Sequence, residues 1–262
     1  MKIPFSFIVV NFRSAHLLPD WFASFSNTLL SPDEYEIIIV NNDASEKELL
    51  DTLATQYNFT LIHAKSNLGF GGACNLAATS AQGEIIGFIN PDTRFLPGDF
   101  HLITKQFTNN PSLGILGLKL LTADGSTQPW STGVTVTLWD IIRNNLHLPK
   151  SKVLWNANTP TSVAWVSGAA LFIPRQLFVE VAGFDEHFFL YFEDTDLCMR
   201  VNALHKSILY FPSLAIQHLG GQSASSHTQQ KKHYYTSQDI FFAKHRPRIE
   251  GICLKILRSF IA

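Results

Sequence analysis

Two groups of acidic residues stand where a folded chain could use them for chemistry. Asp92 follows the apolar run at residues 85–90 and Pro91, at the predicted carboxyl end of a buried strand. A carboxylate in that position suits a hard cation such as Mg²⁺ or Mn²⁺. Glu193 and Asp194 follow an aromatic run and open a predicted helix, where the macrodipole keeps a carboxylate ionised. An ionised carboxylate beside a pocket suits a general base.

Each of these positions also has a simpler explanation, which the sequence leaves open. Asn-Pro-Asp-Thr is ordinary turn chemistry, so Asp92 could serve only to redirect the chain. Acidic residues are common in the first turn of a helix, and Asp196 needs no other explanation. His218 is either a metal ligand through its neutral imidazole or a core histidine. The glycines from Gly69 to Gly72 either offer free N–H groups to a phosphate or allow close packing.

The first 93 residues or so alternate between strand-like and helix-like segments. Apolar runs at 3–12, 36–40, 59–63 and 85–90 are separated by segments of helical spacing. This order is typical of an α/β fold with a mostly parallel, Rossmann-like sheet and helices on both faces. Polar residues end four of the predicted strands, and parallel strands would bring them to one crevice. These polar positions are Asn11, residues 41–43, residues 90–92 and His218.

The second half of the chain has a weaker pattern. Residues 122–162 show little periodicity, so we expect loop and short elements there, and a loop of this length is typically functional or mobile. The remaining segments predict a helix at 97–109, strands at 115–121, 163–174 and 208–217, a short helix at 176–182 and a polar helix from about residue 229.

A further helix is predicted to start at the second acidic run. Leu197, Val201 and Leu204 share one face at helical spacing and are expected to be buried. Asp194 lies one turn before Leu197 on that side, so we predict that Asp194 faces the pocket and acts as the base. Asp196 points well away from that face and is expected to lie in solvent.

Composition limits the class of protein. The chain has 262 residues, 46% of them hydrophobic, which is enough for one large α/β domain or two small ones. Its net charge of -1 argues against a nucleic-acid binder that works by neutralising phosphates. The three cysteines have neither zinc nor redox spacing, and no signal peptide or membrane-spanning run is visible. We therefore expect a reduced, cytoplasmic location.

Short motifs follow one another from residue 3 to about residue 245. They are VVNF at 9–12, IVNNDAS at 39–45, NLGFG at 67–71, NPDT at 90–93, VSGA at 166–169, GFDE at 183–186, YFEDTDL at 191–197 and the histidine at 218. In this order and spacing the chain resembles family 2 glycosyltransferases of the GT-A type. It is most similar to bacterial rhamnosyltransferases and related enzymes of cell-surface polysaccharide assembly.

The resemblance implies transfer of a sugar, such as the deoxyhexose rhamnose, from a nucleotide-diphosphate donor to a saccharide or lipid-linked acceptor. The donor would be dTDP-rhamnose or a UDP-sugar, and the product a polysaccharide of the O-antigen or capsule kind. A single GT-A domain at 1–246 would consist of a nucleotide-sugar-binding half at 1–121 and an acceptor half at 122–246. A divalent metal, Mg²⁺ or Mn²⁺, would be held by Asp92 and His218. The implied donor-binding residues are Asn11, Asn41, Asn42, Asp43, Asn67, Gly69, Asn90 and Asp92.

On the acceptor side, the resemblance implies Asp194 as the base with Glu193 assisting. A single displacement would then invert the configuration at the anomeric carbon. The implied acceptor-binding residues are Trp165, Ser167, Gly168, Asp185 and Tyr191.

The chain departs from the family pattern at a few positions, and two other functions stay open. Asn41 stands where many members have Asp, Gln238 stands where Arg is common, and the metal motif has one Asp where many members have two. A nucleotide-sugar nucleotidyltransferase would need a Gly-rich, basic signature after the first strand. A non-catalytic carbohydrate-binding relative would be expected to lose the acids.

The last residues, 247–262, form a basic amphipathic tail. Lys255 and Arg258 interleave with apolar residues such as Ile252 and Ile256. A tail of this kind can lie on an anionic membrane surface, here the inner face of the cell membrane. The alternative is a terminal helix packed on the domain, and the sequence supports both equally.

Overall fold

A mixed sheet of nine strands forms the centre of the computed structural model, which describes residues 3–146, 148–220 and 227–261. Two further short strands form a separate ribbon. In chain order the strands are β1 (Phe5–Asn11), β2 (Tyr35–Asn41), β3 (Thr60–His63), β4 (Ile85–Ile89), β5 (Thr93–Phe95), β6 (Leu113–Leu121), β7 (Thr132–Gly133), β8 (Thr161–Val163), β9 (Trp165–Val166), β10 (Ala170–Pro174) and β11 (Ser207–His218).

Helices cover both faces of the sheet. Buried residues of α1, α2 and α4 pack in one apolar cluster, and those of α3, α7 and α8 pack in a second cluster on the opposite face. The helices are α1 (Leu18–Phe25), α2 (Lys47–Gln56), α3 (Gly69–Ala78), α4 (His101–Asn109), α5 (Leu138–Asn145), α6 (Lys152–Trp155), α7 (Arg175–Glu180), α8 (Glu193–Ala203), α9 (His227–His245) and α10 (Arg248–Ile261).

The strand order is β3-β2-β1-β4-β10-β6-β11-β5, with β8 paired to β11. β1, β2, β3 and β4 are parallel to one another. β10 is antiparallel to both β4 and β6, so β6 and its parallel neighbour β11 point the same way as β4. The predicted α/β class with a mostly parallel sheet is confirmed.

Strand β1 shows why the central strands have no polar face. Its seven residues are all buried. Phe7 and Val9 belong to the apolar cluster that contains Trp21, whereas Ile8 and Val10 belong to the cluster on the other face. A strand covered on both faces must be almost entirely apolar, and the one polar side chain inside β1, Ser6, donates a hydrogen bond to Glu36.

The predicted burial of Leu204 is wrong. Helix α8 ends at Ala203, so Leu204 lies past its last turn, and 42% of its surface is exposed. Leu197 and Val201 are fully buried, as predicted.

The carboxyl-terminal tail forms helix α10, which packs against α9 and α5. Leu254 is buried among aromatic side chains, whereas Ile249, Ile252 and Ile256 are each more than half exposed. The helix therefore packs on the domain by one face and presents a second, apolar face to solvent. The predicted tail residue Ala262 and the side chain of Phe260 lie outside the described residues. Within the described residues, no helix is long and apolar enough to span a membrane.

Candidate active site

The carboxyl ends of four parallel strands bring polar residues to one edge of the sheet. Asn11 ends β1 and pairs in register with Asn41 at the end of β2. Asn90 follows β4, and His218 ends β11. Since these strands point the same way, the shared edge that the sequence predicted is confirmed.

Asp92 and His218 are brought together by the pairing of β5 with β11. His218 lies opposite Thr93 in this antiparallel pair, and the N–H of Leu219 donates to the carbonyl of Asp92 at 2.9 Å. The Nε2 of His218 lies 3.1 Å from the Oδ1 of Asp92. Asn90 donates its Nδ2–H to the same Nε2 at 3.4 Å.

The ring of His218 has polar partners at both nitrogens. Nδ1 lies 2.9 Å from the Oε1 of Gln128, an acceptor, so this bond needs a proton on Nδ1. With that tautomer, Nε2 would present a lone pair toward the Asp92 carboxylate. Two acceptors at this distance are satisfied by a proton or by a cation between them. Gln128 has no sequence signal of its own, because it comes from the irregular segment after β6.

The donor set at this point fits a divalent cation. It combines a carboxylate oxygen with an imidazole nitrogen, a set that Mg²⁺ or Mn²⁺ accepts when oxygen ligands complete the shell. The described residues contain no group of three histidine, cysteine or acidic side chains that could hold a metal. A cation between Asp92 and His218 would therefore need ligands from water or from a bound diphosphate.

A cavity of about 430 Å³ opens beside Asp92. We call it the donor cavity. Several residues that the sequence did not select also line it, among them Phe12, Arg13 and His233. The predicted donor-binding residues in its wall are Asn42, Asn67, Gly69, Asn90 and Asp92.

Asn11 and Asn41 do not line this cavity. Asn11 is fully buried, and its Nδ2–H donates to the Oε2 of Glu46 at 2.8 Å. The amide nitrogen of Asn41 lies 3.1 Å from the Nδ1 of His63 on β3. Both amides therefore join the ends of neighbouring elements at the crevice floor, and their role in donor binding stays a prediction.

Asp43 also lies outside the wall of the donor cavity but is bonded to a residue in it. It accepts from the N–H of Ser45 at 2.9 Å and from the Nε of Arg13 at 2.7 Å. These two bonds lower the pKa of the Asp43 carboxyl below its usual value, and the bond from Ser45 has the larger effect. Asp43 stays ionised and positions the Arg13 guanidinium at the cavity.

The glycine segment serves close packing. Gly69 has a φ of +73°, and a Cβ there would lie 2.3 Å from the carbonyl oxygen of Phe189. Its N–H donates to Asn67, and the N–H of Phe70 donates to the carbonyl of Phe189. Since both N–H groups are already bonded, they are not free to hold a phosphate.

A second cavity, of about 400 Å³, lies next to the donor cavity and shares Asn90 with it. We call it the acceptor cavity. Its wall includes the indole rings of Trp130 and Trp165 and the carboxylates of Glu193 and Asp194. The predicted acceptor-binding residues in its wall are Trp165, Ser167, Gly168 and Tyr191.

Asp185, the remaining predicted acceptor residue, does not line the acceptor cavity. Its carboxylate bonds to His187 and lies 2.6 Å from the Nζ of Lys244. Partial burial raises the pKa of Asp185, but the bonds from Lys244 and His187 outweigh it and hold the pKa well below its usual value. Binding of an acceptor by Asp185 stays a prediction.

Asp194 is held in one orientation at the acceptor cavity. Its Oδ2 accepts from the N–H of Gly168 at 2.9 Å, and its Oδ1 accepts from the N–H of Thr195 at 2.7 Å. Burial raises the pKa of Asp194, while these N–H donors favour the ionised form and limit the rise.

Glu193 lies beside Asp194 in a less polar environment. It is 6% exposed, and its Oε2 has no hydrogen-bond partner among the described residues. Burial and the charge of Asp194 raise the pKa of Glu193 well above its usual value. For Glu193 the expectation that the helix start keeps the carboxylate ionised is therefore wrong, because burial outweighs the macrodipole. For Asp194 burial also raises the pKa, but its N–H donors favour the ionised form. The arrangement favours a proton on Glu193 and a charge on Asp194.

Asp196 is fully buried, and its predicted exposure is wrong. Its carboxylate lies 2.7 Å from the Nε of Arg200, 2.7 Å from the Nζ of Lys244 and 2.6 Å from the Nε2 of His245. The last two residues belong to α9, which crosses the first turn of α8. This cation cluster fixes the start of the helix that carries Asp194.

We expect the Glu193→Gln variant to have a higher free energy of unfolding than the wild type. The difference between the two should grow as pH rises. The folded protein holds the proton on Glu193 above pH 4.5, where the unfolded chain releases it. Wild-type stability therefore falls as pH rises from that value toward the raised folded pKa, and the neutral variant avoids the loss. Urea unfolding at about pH 5 and about pH 8 measures the difference. The exposed Glu180→Gln is the control, and a stability difference that is independent of pH would contradict the expectation.

Three curated relatives match most of the chain. The chain is 27% identical over 237 residues to the N-acetylglucosaminyl-diphospho-decaprenol L-rhamnosyltransferase of Mycobacterium tuberculosis, covering 80% of this chain and 74% of that protein. It is 26% identical over 218 residues to rhamnosyltransferase WbbL of Escherichia coli K12, covering 78% of this chain and 80% of that protein. It is 24% identical over 254 residues to the O-antigen biosynthesis protein RfbC of Myxococcus xanthus, covering 92% of this chain and 19% of that protein.

Similar solved structures have the same fold. GalNAc-T7 with UDP, GalNAc and Mn²⁺ superposes with a TM-score of 0.65 at 14% identity, covering 92% of this chain and 48% of that one. This chain thus spans about half of GalNAc-T7. Residues 1–349 of S. aureus TarS in complex with UDP superpose with a TM-score of 0.59 at 16% identity, covering 97% of this chain and 75% of that one.

The sequence model of glycosyl transferase family 2 matches residues 6–166, more than half of the chain. The match includes the strands that build the donor cavity and ends at Val166, beside the acceptor cavity. The predicted GT-A fold is confirmed by the solved structures. The chain belongs to glycosyl transferase family 2.

Proposed function

We propose that the protein is a metal-assisted, inverting glycosyltransferase that moves a deoxyhexose such as rhamnose from a nucleotide-diphosphate donor to a saccharide or lipid-linked acceptor. One observation carries the proposal: the fixed Asp194 carboxylate lies in a cavity that meets the donor cavity at Asn90. Names of relatives support rhamnose, a lipid-linked acceptor and synthesis of surface polysaccharide.

On the donor side, Asp92 and His218 would hold a divalent cation, Mg²⁺ or Mn²⁺, against the diphosphate of dTDP-rhamnose or a UDP-sugar. When bound, the cation offsets the negative charge on the leaving diphosphate. The Asn42 and Asn67 amides and the Arg13 guanidinium line the donor cavity together with Asp92 and would orient the nucleotide. His218 lies in the wall of the adjoining acceptor cavity, 3.1 Å from Asp92. Crystals of GalNAc-T7 with UDP and Mn²⁺ and of TarS with UDP support this reading.

On the acceptor side, the acceptor hydroxyl would stand next to Asp194. The Trp165 and Tyr191 rings line the cavity and offer apolar faces to a sugar ring. Asp194 takes the proton of the hydroxyl as its oxygen attacks the anomeric carbon from the face opposite the leaving diphosphate. A single displacement of this kind inverts the configuration. Glu193, with its proton retained, adds no second charge to repel the one on Asp194.

We expect Asp194→Asn to lower kcat about 10²- to 10⁴-fold and to leave nucleotide affinity unchanged, because the shape is kept and the base is lost. Turnover is measured with the purified protein, a panel of nucleotide sugars and lipid-linked acceptors. The exposed Asp99→Asn controls for loss of a carboxylate away from the cavities. Near-normal kcat in Asp194→Asn together with an inactive Glu193→Gln would reverse the two roles.

We expect Asp92→Ala to abolish transfer and to remove the part of nucleotide binding that depends on Mn²⁺. Calorimetric titration with UDP and with dTDP, each with Mn²⁺ and with EDTA, measures that part. Asp99→Ala should bind as the wild type does. Unchanged Mn²⁺-dependent affinity in Asp92→Ala would show that the cation is held elsewhere.

The exposed face of α10 supports peripheral contact with the inner face of the cell membrane. Ile249, Ile252 and Ile256 form an apolar stripe, and Arg248 and Lys255 add positive charge on exposed positions. Contact of this kind would place a cytoplasmic enzyme beside a lipid-linked acceptor.

We expect the double variant Ile252→Asp and Ile256→Asp to sediment much less with anionic vesicles than the wild type does. Point variants are preferable to deletion of residues 247–262, because deletion would also remove the buried Leu254. Val179→Asp, an equally exposed apolar position on α7, is the control. Equal sedimentation of all three proteins would refute membrane contact through α10.

A further inference from the structure

A third cavity, of about 510 Å³, lies between helices α5, α9 and α10. We call it the helical groove. Ile141, Tyr191 and Tyr234 line both this groove and the acceptor cavity, so the two spaces adjoin at these residues. The donor and the acceptor sugar have been assigned to the other two cavities, so the helical groove has no proposed occupant so far.

The walls of the helical groove are mostly apolar. Leu254 and Leu257 come from α10, and Ile142 comes from α5. Leu146 also lines the groove and is 63% exposed, so it stands where the groove opens to solvent. A lining that is apolar over most of its area suits an alkyl chain.

Two cations lie in this apolar wall, and none of the described residues that line it is acidic. Lys231 is exposed and has no carboxylate partner among the described residues; its Nζ lies 5.7 Å from the centre of the Tyr235 ring. Arg258 lies over the same ring at 4.5 Å and is held there by bonds to Asp239 and Gln238. The charge of Arg258 is thus paired with Asp239, whereas Lys231 leaves one positive charge in the groove wall that no carboxylate of the described residues neutralises.

We infer that the helical groove binds the diphosphate and the first isoprenoid units of a lipid-linked acceptor, an inference that rests on the proposed function. The occupant must be apolar and anionic at once, and it must be joined to a sugar that reaches Asp194. A sugar diphosphate with an alkyl chain meets all three conditions. Its sugar occupies the acceptor cavity, its phosphates lie at Lys231, and its chain passes between Leu257 and Leu146.

Binding of farnesyl diphosphate tests the groove without turnover. The full-length protein is titrated by calorimetry without vesicles and with EDTA, which removes the metal from the donor cavity. We expect Lys231→Met to weaken binding about tenfold, the effect of losing one charge-assisted contact. Lys232→Met, the adjacent exposed lysine outside the groove, should bind as the wild type does. Farnesol and inorganic diphosphate should each bind more weakly than farnesyl diphosphate.

Turnover gives a second, independent readout. With a water-soluble sugar linked through diphosphate to a short alkyl chain, Lys231→Met and Leu257→Asn should raise KM and leave kcat nearly unchanged. With an uncharged alkyl glycoside, only Leu257→Asn should raise KM. Val179→Asn, at an exposed apolar position on α7 that lines none of the three cavities, is the control for Leu257→Asn.

The outcomes separate the groove from the proposed function. If the wild type does not bind farnesyl diphosphate, or if Lys231→Met and Lys232→Met behave alike, the inference about the groove is overturned. If inorganic diphosphate binds as tightly as farnesyl diphosphate, the site is a plain anion site and the inference is also overturned. Failure to transfer any sugar would refute the proposed function, and the titration would still decide whether the groove binds a lipid diphosphate.

Discussion

The turn at residues 90–93 is fixed from two directions, and the whole candidate site depends on it. On one side the N–H of Asn90 donates to the carbonyl of Ala169, next to β10. On the other side the N–H of Leu219 donates to the carbonyl of Asp92. The hydroxyl of Thr93 closes the turn by donating to the carbonyl of Asn90 at 2.7 Å. Segments far apart in sequence thus meet at one short turn, which fixes Asp92 beside the donor cavity and Asn90 between the two cavities.

Much of this arrangement could be predicted from local sequence. A strand buried on both faces must be almost entirely apolar, so β1 and β4 could be located from their runs of apolar residues. Polar residues placed directly after such strands, as at Asn11 and Asn90, indicated the crevice because parallel strands share an edge. The glycines near Gly69 could be recognised as special, but only the approach of Phe189 shows that they are needed for packing.

The rest depended on contacts between distant segments. Asp196 looks like an ordinary first-turn acid, and its burial follows from Lys244 and His245, which lie almost fifty residues further on. Asn11 looks available for a ligand until Glu46 is placed against it. Periodicity and spacing along one helix cannot report which other helix crosses it. The pKa of a carboxyl group is equally hard to predict from local sequence. A helix start lowers this pKa, whereas burial in a pocket raises it.

The three helices around the helical groove contribute no strand to the sheet. Two of them, α9 and α10, also lie beyond residue 166, where the family match ends. Side chains on their inner faces can therefore change without disturbing a strand pair or the turn at 90–93. In evolutionary terms, side chains that face the groove can vary between family members, whereas Lys244 and His245 at the end of α9 keep the start of α8 in place. If the groove holds the lipid of the acceptor, substitution of its lining is then the economical route by which such an enzyme acquires a different acceptor.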